Sequence, residues 1–593
     1  MRPRITALVW RAGLALALVC GIGLLPWLSR ADPARTVLRA RSAERDATPQ
    51  VLADIRAQLG LDDGPSRLLG RWADGLWRGD AGRSWISGTE VTPAVLQALG
   101  VSLLLMAVAL AVAVLTAGLV CAPTLARQGG RRRAGGGGSA VLAALPEFLT
   151  ASVLATVVGV QLGWLPALGW YGPRWAVLPA LALGLPAGAV LGRLLDDLLP
   201  GAFAEPWALA ATARGLRRRT IARQAVRRCV PGLLPNAGLF VVGLTGGSVA
   251  VEQIFDIPGL GRTTLQAALA QDLPVLQAGT LLLVLLAAAS AAASRLAARW
   301  LIGPAERDGT LSSLHRPRSP VRGIQVLAYG GLLLAVIALG LPRDPLALDA
   351  GVRLQPPSWT HPFGTDALGR DMLARVAHGA LDTLLLTLAI GAVALLIGVL
   401  LGLLPRLSGP LVDTVNAVPP VLGALLVTAV AGSGPATPAL AVSAVAWAPL
   451  AVHTSALLRQ ERAALHITAT RGLGAGRRYL LRHELLPAVL PPVTRHALLR
   501  LPGTALALAS LAFLGLGAQP PSPEWGLLLA ENQPYAERAP WAVVAPAAVL
   551  ALLGALAVSA GGGVRRPRRR TTEGAGAAEQ PSRTGELVGR VAA

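Results

Sequence analysis

The segment LGVSLLLMAVALAVAVLTAGLVCAP, residues 99–123, decides the class of fold, because it contains no charged side chain over 25 positions. An α-helix rises about 1.5 Å per residue, so a run of this length can cross the hydrocarbon core of a bilayer, which is about 30 Å thick. Its apolar residues are continuous rather than confined to one helical face, which is typical of a helix surrounded by lipid or protein. The segment therefore predicts a transmembrane helix.

Eleven similar segments occur along the chain. Hydrophobic residues make up 53% of the 593 positions and charged residues only 15%, with a mean hydropathy of +0.55, whereas a soluble domain carries about 25% charged residues. The segments predict an all-α polytopic membrane protein with about twelve transmembrane helices, located in the cell membrane. The predicted spans lie near residues 7–28, 99–123, 139–161, 174–193, 236–251 and 274–294, and near 324–342, 380–404, 411–431, 436–458, 492–516 and 541–562.

The basic residues indicate which loops face the cytoplasm. The formal net charge is +22, and all 54 basic residues are arginine. Without lysine the chain cannot form a Walker-A phosphate loop, a Schiff base or a Ser-Lys dyad. Arginine-rich loops of membrane proteins face the cytoplasm, so we expect both termini inside, the segment 30–98 outside, and no nucleic-acid partner. The inside segments are 124–138, 194–235, 295–323, 459–491 and 563–593.

The first span has an alternative interpretation as a cleaved signal peptide, because a basic start and an apolar run precede the sequence SRADPA. The even number of spans and the arginine distribution favour a retained helix. A polar cytoplasmic linker at 303–322 separates a first half, 1–302, from a second half, 323–563, each with six spans. The basic tail, 564–593, has little to bury, so we expect it to be disordered and cytoplasmic.

Each half has its longest cytoplasmic loop between its fourth and fifth spans, at about 200–231 and 459–487. EPWALAATARGLRRRTIARQAVRRCVP (205–231) and ERAALHITATRGLGAGRRYLLRHELLP (461–487) share an order: a short helical segment, a glycine and a basic stretch ending at proline. A helix whose small apolar face is surrounded by arginine favours a protein partner over lipid. The alternative is a basic loop that lies on anionic headgroups.

These two loops resemble the EAA loops of ABC-importer permeases, whose pattern is Glu-Ala-Ala, three residues, Gly, nine residues and Ile-x-Leu-Pro. The second loop keeps this spacing, although Glu484 occupies the Ile slot. In the first loop the proline, Pro231, is out of register. The resemblance implies that the loops couple the membrane domain to ATPase subunits through Ala210, Ala211, Gly215, Ala469, Gly474, Leu486 and Pro487.

Further motifs resemble the dipeptide/oligopeptide/nickel branch of these permeases, and they run in order through both halves. The chain is similar to a fusion of the two permease subunits that form a heterodimer in that branch, which implies the type I ABC importer transmembrane fold in two six-helix halves. The motifs of the first subunit are LGLDDGPSRLL (59–69), RGDAGRS (78–84) and VEQIFDIPGLGR (251–262). Those of the second are HPFGTDALGRDMLARVAHGA (361–380), SLAFLGLGAQPPSPEWGLLL (510–529) and APWAVVAPA (539–547).

The resemblance also implies the partners. Two cytoplasmic ATPase subunits would bind ATP and Mg²⁺, and an extracytoplasmic binding protein would deliver the solute. The chain has no GxxxxGK[ST] sequence, so it needs no cofactor of its own and is not itself an ATPase. The implied function is that of a permease that moves peptides or similar small solutes by alternating access.

Charged residues outside and within the spans are candidates for two further roles. Asp366, Arg370 and Asp371 could contact the docked binding protein, or they could form ion pairs within their own turn. Glu147, at the start of the third span, could recognise an amine of the solute, or it could be a carboxylate at a helix start. The histidines show no metal-ligand spacing, so we expect no metal site.

An ion-gradient-driven secondary transporter is the alternative function. Such transporters use charged groups near the middle of the membrane for coupling, and these spans contain almost none. A membrane enzyme is disfavoured because no nucleophile–base pair or paired carboxylates occur beside the spans. The sequence does not identify the solute or the direction of transport.

Overall fold

The computed structural model describes residues 2–29, 32–41, 46–128, 142–143, 145–302, 322–416, 420–432 and 434–560. Within these ranges the elements are helices, together with two isolated β-bridges. The predicted all-α fold is therefore confirmed. The linker predicted at 303–322, apart from Arg322, and the predicted tail lie outside the described residues.

The first half carries its six predicted spans on α1, α6, α7, α8, α10 and α12. In chain order its helices are α1 (Arg2–Gly23), α2 (Leu25–Leu28), α3 (Pro33–Arg41), α4 (Pro49–Leu59), a 3-10 turn (Leu61–Asp63), α5 (Pro65–Trp77), α6 (Val91–Arg127), α7 (Glu147–Leu154) continued by a π-helix (Ala155–Gln161), α8 (Pro173–Phe203), α9 (Pro206–Ala213), α10 (Arg218–Ile254), α11 (Leu260–Ala270) and α12 (Leu273–Ile302).

The second half repeats this order. Its elements are α13 (Arg322–Gly340), a 3-10 turn (Ala350–Val352), α14 (Met372–Gly402), α15 (Pro405–Asn416), α16 (Pro420–Ala431), α17 (Thr437–Ala446), α18 (Ala448–Arg462), α19 (Leu465–Gly472), α20 (Arg477–Tyr479), a π-helix (Leu480–Leu485), α21 (Leu486–Phe513), α22 (Trp525–Asn532), a 3-10 turn (Gln533–Tyr535) and α23 (Pro540–Ala560).

Among the described residues, six helices are long and apolar enough to cross a membrane, and five shorter apolar helices accompany them. The remaining predicted span, 236–251, lies within α10, which is 37 residues long. Within the described residues, each predicted span thus lies mainly on one helix or on two consecutive helices. The loops after the fourth spans, residues 204–217 and 463–476, lie at what we call the inner end of the bundle, and α5, α11 and α22 lie at the outer end.

Small residues let the second and fourth spans of each half pack closely. In the first half Gly184, Gly188 and Gly192 of α8 lie against α6, and a Cβ at Gly188 would fall 2.4 Å from the carbonyl oxygen of Ala113. In the second half the glycines are on the second span instead, where Gly402 of α14 lies against Thr454 of α18. Spacing of small residues by four positions is typical of membrane helix pairs.

The third span of each half packs against the other half. α7 contacts α23, whereas α16 contacts α11 and α12. One apolar cluster runs through both halves and includes residues of all five of these helices. The two halves therefore share a core.

Candidate functional sites

The loop at the inner end of the first half is a short helix held against the fold on one side. α8 ends at Phe203, α9 begins at Pro206, and the chain then turns at Gly215, whose φ is +71°. Proline suits the first turn of a helix, and glycine adopts the left-handed conformation at little cost. The fifth span begins at Arg218, so the basic stretch predicted as loop is already helical.

Glu205 fixes the position of α9. Its carboxylate accepts hydrogen bonds from the indole nitrogen of Trp207 (2.7 Å) and from Nε and Nη2 of Arg228 on α10 (3.1 and 2.9 Å). Ala208 and Ala211 are buried. Two-pronged binding of a carboxylate by arginine is geometrically specific, so this side of α9 is anchored to the fifth span.

The opposite side of α9 is open. Leu209 has 63% of its surface exposed, and Ala210 is also exposed. The anchored side of α9 already contacts the fifth span. The open apolar side is therefore the part of the helix available to another protein.

The second half forms the same arrangement, displaced by 259 residues along the chain. α19 is followed by a turn at Gly474, whose φ is +91°, and helix resumes at Arg477. Ile467 occupies the position of Ala208 and is likewise buried, packing with Leu458 and Leu485. Ala469 is exposed, as Ala210 is in the first half.

The two loops differ in how they join the fifth span. In the second half residues 480–485 form a π-helix, Leu486 is partly buried, and Pro487 is exposed. Pro487 occupies the position that Arg228 holds in the first half. The first loop thus uses this position to bind Glu205, which gives a structural reason why its proline is out of register.

A cavity of about 700 Å³ lies beside the second loop, between the end of α14 and the start of the fifth span. Leucine and isoleucine side chains form most of its wall, and three arginines, Arg462, Arg471 and Arg477, lie at its edge.

At the outer end, Asp366 and Arg370 lie inside the fold rather than on its surface. Arg370 is 6% exposed and Asp366 2% exposed, and Arg370 Nε donates to Asp366 Oδ2 at 2.7 Å. Arg375 Nη1 donates to Asp366 Oδ2 and to Glu531 Oε2, both at 2.9 Å. Asp366 and Arg370 thus form the ion pair that the sequence offered as the alternative to a docking surface, and Arg375 and Glu531 extend the pairing beyond their turn.

Asp371 also has a structural role. Its carboxylate caps α14 by accepting the backbone N–H groups of Leu373 and Ala374, and it binds Arg343 Nη1 at 2.6 Å. Ser, Thr, Asp and Asn are the preferred residues at this position because they satisfy free N–H groups of the first turn. The surface near this cluster is formed instead by Trp359 and Leu368, which are exposed.

Glu147 is the first residue of α7 and is partly buried. Its carboxyl carbon lies 3.2 Å from the place where a Cβ on Gly247 of α10 would be, so the glycine gives the carboxylate room. The next residue, Phe148, packs against Phe513 of the second half, with ring centroids 5.9 Å apart. Glu147 therefore lies where the two halves meet.

Sequence reasoning missed a buried carboxylate, Glu252, at the end of the fifth span. It is fully buried, accepts a hydrogen bond from Ser102 Oγ (2.7 Å) and binds the backbone N–H of Arg262 (2.9 Å) in α11. A Cβ at Gly259 would lie 2.3 Å from its carboxyl carbon. The signal was present in the motif VEQIFDIPGLGR, where an acidic residue ends a span and glycines follow it.

Comparison with known proteins agrees with this architecture. A family model described as "Binding-protein-dependent transport system inner membrane component" matches residues 114–303 and 390–568. A di/tripeptide transport system permease protein of Pseudomonas aeruginosa is 37% identical over 232 residues, which are 35% of this chain and 77% of the relative.

Two further relatives cover similar shares. A putative peptide transport system permease protein of Brucella abortus is 31% identical over 272 residues, 44% of this chain and 84% of the relative. A glutathione transport system permease protein of Escherichia coli is 30% identical over 255 residues, 42% of this chain and 81% of the relative. Each relative is thus matched over most of its own length by less than half of this chain. The chain belongs to the family of inner-membrane components of binding-protein-dependent transport systems, the permeases of ABC importers, and it carries the family domain twice.

Proposed function

We propose that this single chain supplies both membrane subunits of an ATP-driven importer for peptides or similar small solutes. Two cytoplasmic ATPases would act on α9 and α19, and an extracytoplasmic binding protein would deliver the solute at the outer end. The observation that carries the proposal is the pair of anchored helices with exposed outer faces, at matching positions in the two halves. Relatives named for peptides, dipeptides and glutathione support the substrate class.

Both termini would lie in the cytoplasm, together with the loops that carry α9 and α19. The arginine-rich sequence of these segments supports this orientation. Each loop would transmit movement of an ATPase to the fifth span of its half, because helix resumes only a few residues after the loop helix.

The direct test is uptake by proteoliposomes that contain the chain, its ATPases and its binding protein. Ala210→Arg and Ala469→Arg place a large charge on the open faces of the loop helices and should abolish ATP-driven uptake of a dipeptide. Ala73→Arg, at an exposed position of α5 at the outer end, is the matched control and should leave uptake unchanged. Uptake driven by a proton or sodium gradient without ATP would instead establish the secondary-transporter alternative.

At the outer end, the binding protein would dock on the exposed residues around the ion-pair cluster rather than on the cluster itself. The buried pairs of Asp366 and Arg370 support a rigid loop, and Trp359 and Leu368 offer it an apolar surface. Trp359→Asp should weaken binding of the binding protein in a pull-down without lowering the yield of folded permease.

Glu147 would attract the ammonium group of the solute in the path between the halves. A carboxylate within a span is costly unless a cation or a polar group accompanies it, and among the described residues no charged partner of Glu147 is found. Glu147→Gln should raise the KM for a dipeptide more than the KM for its N-acetylated form. If KM rises equally for the two substrates, Glu147 does not bind the ammonium group and acts instead as a carboxylate at the start of α7.

A further inference from the structure

A glutamine that follows the outer helix of the second half reaches into the first half. Gln533 comes directly after α22, and its Oε1 accepts a hydrogen bond from Ser152 Oγ on α7 at 2.5 Å. Ser152 is fully buried. This hydrogen bond joins residues 381 positions apart in the sequence.

A glutamine at the corresponding place of the first half reaches into the second half. Gln271 comes directly after α11, and its Nε2 donates to the backbone oxygen of Thr428 on α16 at 3.3 Å and to that of Ala268 at 3.0 Å. Its backbone is left-handed, with φ +56°. Glycine or asparagine is usual at such a helix end, and residues held in unfavourable backbone conformations concentrate at functional sites.

The two contacts are related by the internal repeat. In each, a glutamine after the outer helix of one half meets the third span of the other half. The same region holds Gln161 Nε2, which donates to the carbonyl oxygens of Ala536 and Glu537 at 3.0 Å each. Gln271 and Gln533 follow the outer helices and Gln161 ends the third span, whereas Ser152 lies nine residues before Gln161 along that span.

We propose that Gln271 and Gln533 are paired latches that hold the outer end of the transport path closed in this conformation. Opening the path to the outside requires the third spans to leave the opposite half, so both hydrogen bonds must break. The proposal rests on the ATP-driven transport proposed above. A typical hydrogen bond shifts such an equilibrium about two- to tenfold, so each latch biases the closed state without making it permanent.

The test is a disulfide across the first contact, with Ser152→Cys and Gln533→Cys in the full chain. A protease site inserted between α12 and α13 lets the halves separate on a reducing gel, so a disulfide is seen as fragments that stay joined without reductant. The native cysteines, Cys20, Cys121 and Cys229, all precede this site. Gln533→Cys alone therefore controls for crosslinks to a native thiol.

The two cysteines should be joined readily in the purified chain, directly or by a short bifunctional thiol reagent that replaces the reach of the glutamine side chain. The rate at which they are joined should fall several-fold when the ATPases, the binding protein and a non-hydrolysable ATP analogue are added. Oxidation should abolish uptake, and reductant should restore it. The pair Ser87→Cys and Thr89→Cys, whose hydroxyl groups lie 2.8 Å apart within one outer loop, is the matched control and should transport equally well oxidised and reduced.

The proposal would be overturned by continued uptake with the disulfide in place. It would also be overturned if adding the partners and the nucleotide analogue did not change the rate of disulfide formation. If the wild-type chain shows no ATP-driven uptake, the proposed function fails, while the latch contact is still judged by whether the disulfide forms in the chain alone.

Substitutions that keep the side-chain volume give a second readout. Gln271→Met and Gln533→Met should each raise ATP hydrolysis without binding protein about two- to tenfold, because a loosened outer end is populated more often. Gln533→Glu keeps the acceptor for Ser152 and should restore low hydrolysis. Unchanged hydrolysis in both methionine variants would show that the glutamines do not act as latches.

Discussion

At the scale of single residues, burial decides the role of a charged side chain more reliably than its position in the sequence. Asp366 and Arg370 occupy a Gly-rich turn outside the spans, which suggested a docking surface, but they pair with each other in the interior. The partner that makes this possible, Glu531, is 165 residues away from Asp366 in the chain. A pairing across that separation leaves no local pattern, so only the fold reveals it.

Arg375 is the centre of this cluster, and its removal should destabilise the outer end. It is fully buried and binds both Asp366 and Glu531. Arg375→Met leaves the buried Asp366 and the partly buried Glu531 with only Arg370. Removing one partner of a buried ion pair costs about 3–5 kcal/mol. The thermal midpoint of the detergent-solubilised protein should fall by several degrees. Arg353→Met, at an exposed position of the same loop, should change the midpoint little; an equal fall in both would contradict the assignment.

Glu524 should make stability depend on pH near neutrality. Burial, and then the negative charge of Asp382, raise the pKa of Glu524 from 4.5 to about 7, although the backbone N–H of Ala518 acts in the opposite direction. The folded state therefore holds the proton more tightly than the unfolded state, and stability falls as pH rises from about 4.5 to about 7.

Glu524→Gln removes this dependence. Relative to the wild type, the variant should gain stability across that pH interval, by at most about 3 kcal/mol, and by less because the side chain is partly exposed. Thermal unfolding of both proteins at pH 5, 6, 7 and 8 measures the difference. If the difference in stability between the two proteins does not change with pH, the pKa of Glu524 is not raised in the folded state.

At the scale of elements, the loop helices illustrate what a sequence pattern can and cannot give. The pattern of short helix, glycine and basic stretch located both loops and the turn glycines Gly215 and Gly474 in advance. It placed the basic stretch in a loop, whereas helix resumes at Arg218 and Arg477. Arginine has a high helix propensity, and no proline interrupts the first three turns of α10, so the fifth span begins early.

The anchor of α9 was not predictable in the same way. Glu205 and Arg228 are 23 residues apart and come together because α9 folds back on α10. The second loop has alanine and proline at the matching positions, so the repeat itself offered no hint of the pair.

The conformation of the turn glycines should control coupling. At Gly215 and Gly474 a Cβ would meet no neighbouring atom within 4 Å, so only the positive φ opposes a side chain. Asparagine tolerates this conformation better than alanine, and valine tolerates it worst, with a cost of about 1 kcal/mol or more. Substrate-stimulated ATP hydrolysis should therefore decrease in the order Gly, Asn, Ala, Val at both positions.

Gly472 provides the control for this series. It ends α19, its φ is not positive, and a Cβ there also meets no neighbouring atom. Gly472→Ala should be neutral or slightly stabilising. If alanine at residue 472 impairs coupling as much as alanine at residue 474, space rather than backbone conformation limits the loop.

At the scale of the whole molecule, hydropathy predicted where the apolar helices lie along the chain, because lipid forces each span to be apolar along its length. It did not predict how the spans pair. The packing of each third span against the other half depends on contacts such as that of Phe148 with Phe513. These contacts join residues far apart in the chain. Arrangement within the membrane depends on side-chain fit, and the predicted spans all look alike to a hydropathy scale.

The shared core predicts that the two halves assemble without a covalent link. Each relative is about as long as one half, and the halves contact each other through α7 with α23 and through α16 with α11 and α12. A linker between two such surfaces mainly raises their effective concentration.

Residues 1–312 and 313–593, co-expressed as separate chains, should therefore copurify and retain most of the uptake of the intact protein. Each half expressed alone should be degraded, because its third span would lack the packing that the other half supplies. The measurement is affinity purification through a tag on one half, followed by ATP-driven uptake; stable separate halves that do not associate would show that the connection, rather than the interface, maintains the assembly.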